Sequence, residues 1–498
     1  MKRPPEKSIL KKLERLAQGH KPRVLDLFAG CGGISLGFDA AGFQIDAAVE
    51  IDSAAVETHA RNFHSHLTSE LLAAHMKPRD LTRIEPDELT EELSLGPVAD
   101  AFDVVVGGPP CQAYARVGRA KLRDVADHPS AFKVDPRGNL YLRYLHFVAA
   151  TQPLALLMEN VPDAMNYGGH NVMAEVAEAL DELGYVARYS LINTAFHGVP
   201  QMRDRVFLVA HHRSLDSDVR FPEAANHLIL PPGYAGTRAV ALKFIDLFDK
   251  QYFVEADHGD TSLPGPVTTQ DALGDLPPIT LHLEGKLKRG ARRFNEIVPY
   301  EPTCKLTRYA RLMRQWKGFE APDEGLRDHV IRYLPRDTDI FRHMPIGGEY
   351  PAAHATAVKL WEKRVRQIER RLKKTLSEKD RTALYAEMVP PYPVSNFPNR
   401  WWKLRPDAPS RTLLAHIGKD TYSHIHYDSA QARVISVREA ARLQSFPDGF
   451  SFSGTMNPAY RQIGNAVPPI MAKSLATTMM ETLQNAALRR SKRLVAAE

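Results

Sequence analysis

The residue best suited to do chemistry is Cys111, which follows two prolines at the end of the apolar run 104–108. Each proline fixes a backbone torsion, so the thiol has little conformational freedom left to lose. A thiolate held in this way is suited to nucleophilic addition. The other cysteines, Cys31 and Cys304, are too widely spaced to predict a disulfide framework or a metal pair. We interpret Cys31 as a small space-filling residue.

Three charged residues are the predicted helpers of the thiol. Glu159 ends the next apolar run, where its carboxyl group can assist addition to a ring by protonating or hydrogen bonding a ring nitrogen. Arg203 and Arg205 lie at i and i+2, which places them on the same side of an extended segment. An arginine close to the thiol would lower the pKa of Cys111. The alternative is that Glu159 and the arginines form a structural ion pair.

A glycine turn between a strand and a helix forms a second candidate site. Its glycines, Gly30, Gly32 and Gly33, allow a ligand to approach the backbone closely. Ser35 stands where the GxGxxG pattern has its third glycine, which favours a small nucleoside ligand over a dinucleotide. Glu50, twenty residues after Gly30, is placed to accept hydrogen bonds from ribose hydroxyls. We expect Asp80, on a predicted third strand, to accept from an adenine amino group. The alternative for both acids is a solvated charge.

The elements that must position these residues are short apolar runs alternating with amphipathic stretches from residue 23 to about 212. This rhythm predicts an α/β fold with a mostly parallel sheet covered by helices. Residues 213 to about 410 are irregular and rich in Pro and Arg, which predicts a second domain. After them we predict a capped helix starting at Ser436, a final helix from Met471 to about Leu488, and a disordered stretch at 489–493.

One long amphipathic helix is predicted within the irregular region. Apolar residues recur at steps of three and four with Lys and Arg between them, and they are Val358, Trp361, Val365, Ile368, Leu372 and Leu376. Two interpretations stay open. In one, an apolar stripe packs on a core and the basic face is solvated; in the other, the basic face binds phosphates.

The amino-acid composition excludes few classes of function. The net charge is +6 and the pI is about 9.0, which permits a polyanionic partner without requiring one. The charged N-terminal residues lack a following apolar segment, and no run of about 18 apolar residues occurs. We therefore expect a protein of the reducing cytosol that neither spans a membrane nor carries a standard secretion signal.

Six ordered motifs give the sequence a resemblance to a known family. They lie at 26–33, 108–112, 159–161, 201–205, 411–413 with 436–444, and 462–468. Through them the chain resembles the DNA (cytosine-5)-methyltransferases, in particular those of bacterial restriction-modification systems. The resemblance implies a Rossmann-like methyltransferase fold dependent on S-adenosylmethionine. Residues 1–212, completed by 456–498, would form the catalytic and cofactor-binding domain, and 213–455 a smaller target-recognition domain whose variable part is about 213–405.

The resemblance also assigns residues to roles. The S-adenosylmethionine pocket would comprise Phe28, Gly30, Gly32, Gly33, Glu50, Ile51, Asp80, Pro109 and Asn465. The predicted DNA contacts are Gln112, Arg116, Gln201, Arg411 and Thr412. Two positions depart from the family. Ile51 replaces a tryptophan that commonly stacks on adenine, and Ala115 follows Tyr114 where a Phe-Ser pair is usual, so Arg116 is expected to replace the missing phosphate contact.

The implied reaction gives the thiol its purpose. Carbon 5 of cytosine is a poor nucleophile until Cys111 adds to carbon 6 of a base flipped out of the duplex. Glu159 would act at N3, and Arg203 or Arg205 at the carbonyl oxygen. The implied partners are double-stranded DNA and, through gene context, a restriction endonuclease or phage-defence proteins. No metal is expected, and we expect a cytoplasmic monomer near the nucleoid.

Three alternatives compete with this function. An RNA cytosine-5 methyltransferase acting on transfer RNA shares the scaffold, although the large basic middle region favours duplex DNA. A catalytically silent DNA-binding protein would not need the set formed by Cys111, Glu159 and the arginines. A nicotinamide oxidoreductase fits poorly, because the glycine spacing is wrong and that chemistry has no use for Pro-Pro-Cys.

Overall fold

The computed structural model describes residues 7–110, 140–167, 169–243, 245, 249–286, 296–396, 398–419 and 421–495. The chain divides into two compact units. Unit 1 comprises residues 1–266 and 466–498, and unit 2 comprises residues 267–465.

Unit 1 is built on a six-stranded sheet with the order β2-β1-β3-β4-β6-β5. The strands are β1 Arg23–Leu27, β2 Gln44–Val49, β3 Val104–Gly107, β4 Ala155–Asn160, β5 Tyr185–Asn193 and β6 Asp204–His212. The first four are parallel, whereas β6 runs antiparallel to both β4 and β5. The predicted α/β class is confirmed, and each of the six apolar runs forms a strand.

Helices complete both units. In unit 1 they are α1 Lys7–Ala17, α2 Gly33–Ala40, α3 Ser53–Phe63, α4 Ser69–His75, α5 Pro86–Glu92, α6 Val98–Ala101, α7 Leu140–Thr151, α8 Val172–Glu182, α9 Pro232–Lys243 and, after unit 2, α17 Pro469–Val495. In unit 2 they are α10 Thr269–Leu273, α11 Arg308–Arg314, α12 Thr338–His343, α13 Tyr350–Leu372, α14 Glu378–Met388, α15 Val437–Leu443 and α16 Met456–Asn465. No helix among the described residues is long and apolar enough to cross a membrane.

Two apolar cores cover the faces of the sheet. One lies between the strands and the helices α7 and α8, and the other between the strands and α1, α2 and α17. Helix α17 packs closely on α2, since a Cβ atom on Gly37 would lie 2.5 Å from the Cβ of Ala472. The last segment of the chain therefore belongs to the sheet domain.

The unit boundaries differ from the predicted domain limits. Unit 1 continues to Pro266 instead of ending at 212, because side chains after β6, including Leu215, Val219 and Ala256, are buried in the second core. It resumes at Ala466 instead of 456, because α16 packs against the 3-10 helix Ala415–Gly418 of unit 2.

Three predicted elements are corrected or confirmed. The amphipathic helix α13 ends at Leu372, because Lys373 adopts a left-handed conformation (φ 52°), so Leu376 lies outside it. The predicted disorder at 489–493 is wrong: α17 continues to Val495, where Arg489 donates to the carbonyl of Leu215 and Arg490 pairs with Glu14. The capped helix is confirmed, since Ser436 and Glu439 form a capping box at the start of α15.

Candidate active site

The glycine turn after β1 is a tight, left-handed loop. Phe28, Gly30 and Gly32 have φ values of 60°, 54° and 98°, a region that costs L side chains energy but is open to glycine. The loop is tied to the neighbouring strand, because the amide of Ala29 donates to the carbonyl of Val49 at 3.2 Å. A Cβ on Gly32 would lie 2.5 Å from the ring of Phe63. Phe28 and Gly30 are half-buried, and Gly30 is the glycine of the loop with open space beside it where β1 ends.

Glu50, directly after β2, holds the loop in place. Its Oε2 accepts a hydrogen bond from the amide of Gly30 at 2.9 Å. Its Oε1 accepts from the amides of Ile51 and Asp52, both at 2.8 Å. Three of the roughly four acceptor positions of a carboxylate are thus used within the protein. Beside it the Ile51 side chain is 65% exposed, an apolar surface at the end of the strand.

Asp80 lies near this point, but on a loop and not on the predicted third strand. Two hydrogen bonds to Thr82, from its amide at 2.9 Å and its hydroxyl at 2.7 Å, occupy Asp80 Oδ1. The loop is joined to the end of β2, because the amide of Arg79 donates to the carbonyl of Glu50 at 2.8 Å. The structure thus brings Asp80 to the Glu50 region by a turn.

The segment that begins at Ala466 closes against the glycine turn. A Cβ atom on Gly33 would lie 2.3 Å from the carbonyl oxygen of Val467 and 3.1 Å from the Cβ of Ala466. Only glycine permits this approach, which joins two motifs more than 400 residues apart in sequence. Asn465 is exposed, ends α16 in unit 2 and directly precedes this segment in the chain.

A buried polar network beneath the glycine turn was not found from the sequence. Ser35 Oγ lies 2.6 Å from Asp26 Oδ2 and 2.9 Å from His59 Nε2. Burial raises the pKa of Asp26 to about 7, an effect that the hydrogen bond from Ser35 opposes and the charge of Glu50 increases. Burial lowers the pKa of His59 to about 3, so its ring is neutral. The network links β1, α2 and α3.

The prolines before Cys111 are held by Asn160. The side-chain amide of Asn160 donates to the carbonyl of Pro109 at 2.7 Å and to the hydroxyl of Tyr141 at 2.6 Å. Its carbonyl oxygen accepts from the amide of Val161 at 2.8 Å. Asn160 is 3% exposed and was given no role from the sequence. Cys111, Gln112 and Arg116 themselves lie outside the described residues.

Glu159 and Arg205 form an ion pair at the same edge of the sheet. Arg205 Nε lies 2.8 Å from Glu159 Oε1, and both side chains are 12% exposed. The antiparallel pairing of β4 with β6 places them there, because Glu159 stands opposite Phe207 in the register. Glu159 Oε2 lies 3.0 Å from where Gly108 would carry a Cβ atom. The lack of a side chain on Gly108 therefore keeps the space beside the carboxylate open.

Arg203 has different surroundings from Arg205. Its side chain is almost fully buried, and burial lowers its pKa, as does the positive charge of Arg205, whereas Glu159 raises it. Gln201 is also buried, and its backbone carbonyl accepts from the hydroxyl of Thr194 at 3.0 Å. The structure thus brings both arginines near Glu159 and leaves Arg205 as the partly exposed one.

The two predicted DNA contacts in unit 2 are Arg411 and Thr412. Arg411 pairs with Glu349, and its guanidinium lies 4.5 Å from the ring centroid of Trp402. Thr412 is half-buried. Arg411 therefore contributes to the packing of unit 2 through these two contacts.

A model of the C-5 cytosine-specific DNA methylase family matches residues 22–481. The chain belongs to this family. A protein of Oceanobacillus iheyensis whose name places it among the type II methyltransferases, M.OihORF3336P, is 35% identical over 93% of this methylase and 96% of its own length. The type II methyltransferase M.AgeI of Thalassovita gelatinovora is 29% identical over 92% of the methylase and 99% of its own length.

The fold has a solved counterpart. The crystal structure of an E. coli prophage protein described as a DNA modification methyltransferase superposes with a TM-score of 0.56 at 21% identity, covering 93% of the methylase and 99% of that chain. The predicted methyltransferase fold is thereby confirmed. The predicted function, a DNA (cytosine-5)-methyltransferase, is confirmed by the family and its relatives, and the RNA alternative is not favoured.

Proposed function

We propose that the methylase transfers a methyl group from S-adenosylmethionine to carbon 5 of a cytosine flipped out of duplex DNA. The observation that carries the proposal is the arrangement at one edge of the sheet. There, Asn160 fixes the proline turn that leads into Cys111, and the adjacent residue Glu159 is paired with Arg205.

The proposed cofactor residues suit a nucleoside attached to a charged amino acid. In the glycine turn, with Phe28, Gly30, Gly32 and Gly33, the open space lies beside Gly30, where a ligand can approach the backbone. Glu50 and Asp80 supply carboxylates for hydroxyl and amino groups. The exposed Ile51 offers an apolar contact for a purine ring. Pro109 and Asn465 complete the proposed set. When bound, S-adenosylmethionine supplies an electrophilic methyl group.

In the proposed reaction the protein residues activate and then release the base. The Cys111 thiolate forms a bond to carbon 6, and the carboxyl group of Glu159 supports this addition by donating a proton or hydrogen bond to N3, which returns when the thiolate leaves. Arg205, or alternatively the buried Arg203, binds the carbonyl oxygen. Carbon 5 takes the methyl group and then loses its proton, and the bond between sulfur and carbon 6 breaks, which restores the aromatic ring and the thiolate.

DNA would be bound through Gln112, Arg116 and Gln201 in unit 1 and through Arg411 and Thr412 in unit 2. Since Arg411 already pairs with Glu349, a phosphate contact would have to share or exchange that partner. The names of the relatives support a role in restriction-modification, with an endonuclease or phage-defence proteins as genetic partners. We further propose that the enzyme acts as a monomer in the cytoplasm, at the nucleoid.

Tritiated methyl transfer to plasmid DNA and to transfer RNA tests the activity and its substrate. We expect incorporation into the plasmid alone, and its loss in Cys111→Ser. Cys304→Ser is the matched control, because this half-buried cysteine lies in unit 2 and should be dispensable. Full activity of Cys111→Ser would overturn the mechanism.

A duplex carrying 5-fluorocytosine at the target site tests the covalent step. Fluorine cannot leave carbon 5 as a proton does, so the bond between sulfur and carbon 6 should persist. With cofactor present we expect the intact enzyme and Cys304→Ser to become attached to this duplex through Cys111, and Cys111→Ser to remain free. Methylation of ordinary DNA without trapping would contradict the proposed nucleophile.

A further inference from the structure

Helices α13 and α14 form a helical hairpin that carries most of the net charge of the chain. Residues 350–388 contain ten Lys and Arg against five Asp and Glu, a net charge of +5, while the whole chain has +6. This segment is less than a tenth of the sequence. The remaining residues sum to about +1, although they include other basic runs, such as the five Lys and Arg without an acid at 286–293. The hairpin is therefore one of the cationic segments that could attract a polyanion.

The hairpin buries little of its surface. Along the 23 residues of α13, the buried side chains are Tyr350, Ala353, Ala357 and Val365, and α14 has none. The two helices hold each other through Trp361, whose ring packs edge-on against Tyr385 at 5.2 Å and whose Nε1 donates to the carbonyl of Arg381. The first half of α13 packs on a core of unit 2 through Tyr350, Ala353 and Ala357, whereas Trp361 packs within the hairpin. The opposite face of α13 is left to solvent.

Four cations line that opposite face. Lys359, Lys363, Arg366 and Arg370 recur at steps of four, three and four residues, so they share one side of the helix, and all four are exposed. Within the described part of the chain, none of the four is ion-paired with a carboxylate; Glu369, the nearest acid to Arg370 in sequence, lies 3.7 Å from Arg381 instead. Like charges one turn apart destabilise a helix, a cost that a bound polyanion would remove.

We propose that this cationic stripe binds the phosphate backbone of the duplex DNA substrate. The stripe spans the twelve residues 359–370, which is eleven helical steps or about 16 Å. One strand of a duplex presents a phosphate about every 3.4 Å along its axis, so about five phosphates lie within reach of the four cations. A row of evenly spaced charges on long side chains is better suited to bind such a repeating anion than to bind a single small ion. The proposal rests on the proposed function, since it takes DNA as the substrate.

The test compares two charge-matched variants of the full-length enzyme. In the stripe variant Lys359, Lys363, Arg366 and Arg370 become Gln, which keeps helix propensity. In the control variant four exposed cations of unit 1 become Gln, and they are Lys7, Lys11, Lys21 and Arg213. The dissociation constant for a 30-base-pair duplex is measured by fluorescence anisotropy from 50 to 200 mM salt, and helicity by circular dichroism.

Removing one cation that binds a phosphate should lower the slope of log affinity against log salt by about 0.9. Over this fourfold range, four such cations amount to about 100-fold, so wild-type affinity should fall about 100-fold more than that of the stripe variant. The control variant should keep the wild-type slope. Equal slopes in the stripe and control variants, with both helical, would overturn the proposal. A stripe variant that loses binding to transfer RNA or anionic vesicles while keeping its DNA slope would overturn it as well.

Tritiated methyl transfer to plasmid is followed in the same preparations at 50 mM salt. If the wild-type enzyme methylates DNA and the slopes are equal, the hairpin proposal alone fails. If the wild-type enzyme transfers no methyl group to DNA, the proposed function fails, whatever the slopes are.

Discussion

Asn160 should be needed for turnover out of proportion to its contribution to stability. Replacing it with alanine removes the hydrogen bonds to the Pro109 carbonyl, the Tyr141 hydroxyl and the Val161 amide. At about 0.5–1.5 kcal/mol for each of the three bonds, the free energy of unfolding should fall by about 1.5–4.5 kcal/mol. The proline turn before Cys111 also loses its support, and a displacement of about 1 Å at a reacting atom can cost about 100-fold in rate.

Asn171→Ala is the matched control for this variant. Asn171 also lies in unit 1, caps α8 by accepting from the amide of Ala174, and donates to the hydroxyl of Tyr189 at 2.8 Å. The free energy of unfolding of the Asn171→Ala variant should fall by about 1–3 kcal/mol, and its kcat should stay at the wild-type value. Urea unfolding and the kcat for methyl transfer to plasmid are measured for both, with fully folded enzyme. If Asn160→Ala keeps kcat within twofold of wild type, the idea that this amide positions the thiol is refuted.

Three further predictions concern the region of the glycine turn. Gly33→Ala should lower Tm and weaken S-adenosylmethionine binding in calorimetry, because its Cβ would lie 2.3 Å from the Val467 carbonyl oxygen; unchanged Tm would contradict the close packing. Glu50→Gln should weaken that binding at least tenfold by replacing a carboxylate acceptor, while Glu57→Gln, at a half-buried acid that pairs with Arg61 on α3, should not, and equal affinities would count against Glu50. Burial raises the pKa of Asp26 from 3.8 to about 7, so the native state binds its proton more tightly than the unfolded chain. Stability should therefore fall by up to about 4 kcal/mol as pH rises from 4 to 7, and Asp26→Asn should remove that component from urea unfolding measured across this range.

The sheet could be predicted because its information is local. Each strand is a short apolar run, and the carboxyl ends of parallel strands meet at one edge, which is why Glu50 and Glu159 could be placed there from position alone. Arg205 reaches this edge because it lies at the start of the antiparallel strand β6. Asp80 reaches the same region by a turn whose geometry depends on a backbone bond to the Glu50 carbonyl. This hydrogen bond could not be predicted from a sequence pattern.

Roles that depend on distant partners could not be predicted. Asn160 matters because the Pro109 carbonyl lies within reach of its amide, and Asp26 because Ser35 and His59 are buried with it. The same holds for Arg489, whose partner, the Leu215 carbonyl, precedes it by 274 residues. Composition suggested a disordered stretch there, and tertiary contacts made it helical.

The close approach of Val467 to Gly33 has a consequence for synthesis on the ribosome. Residues 466–495 are translated after the whole of unit 2, yet α17 fills a core of unit 1. The face of the sheet that α17 covers in the finished protein therefore stays exposed in the nascent chain while about 200 intervening residues are made. A nascent chain should be prone to aggregation during this interval, and its glycine turn should not reach its final form until residues 466–467 have been made.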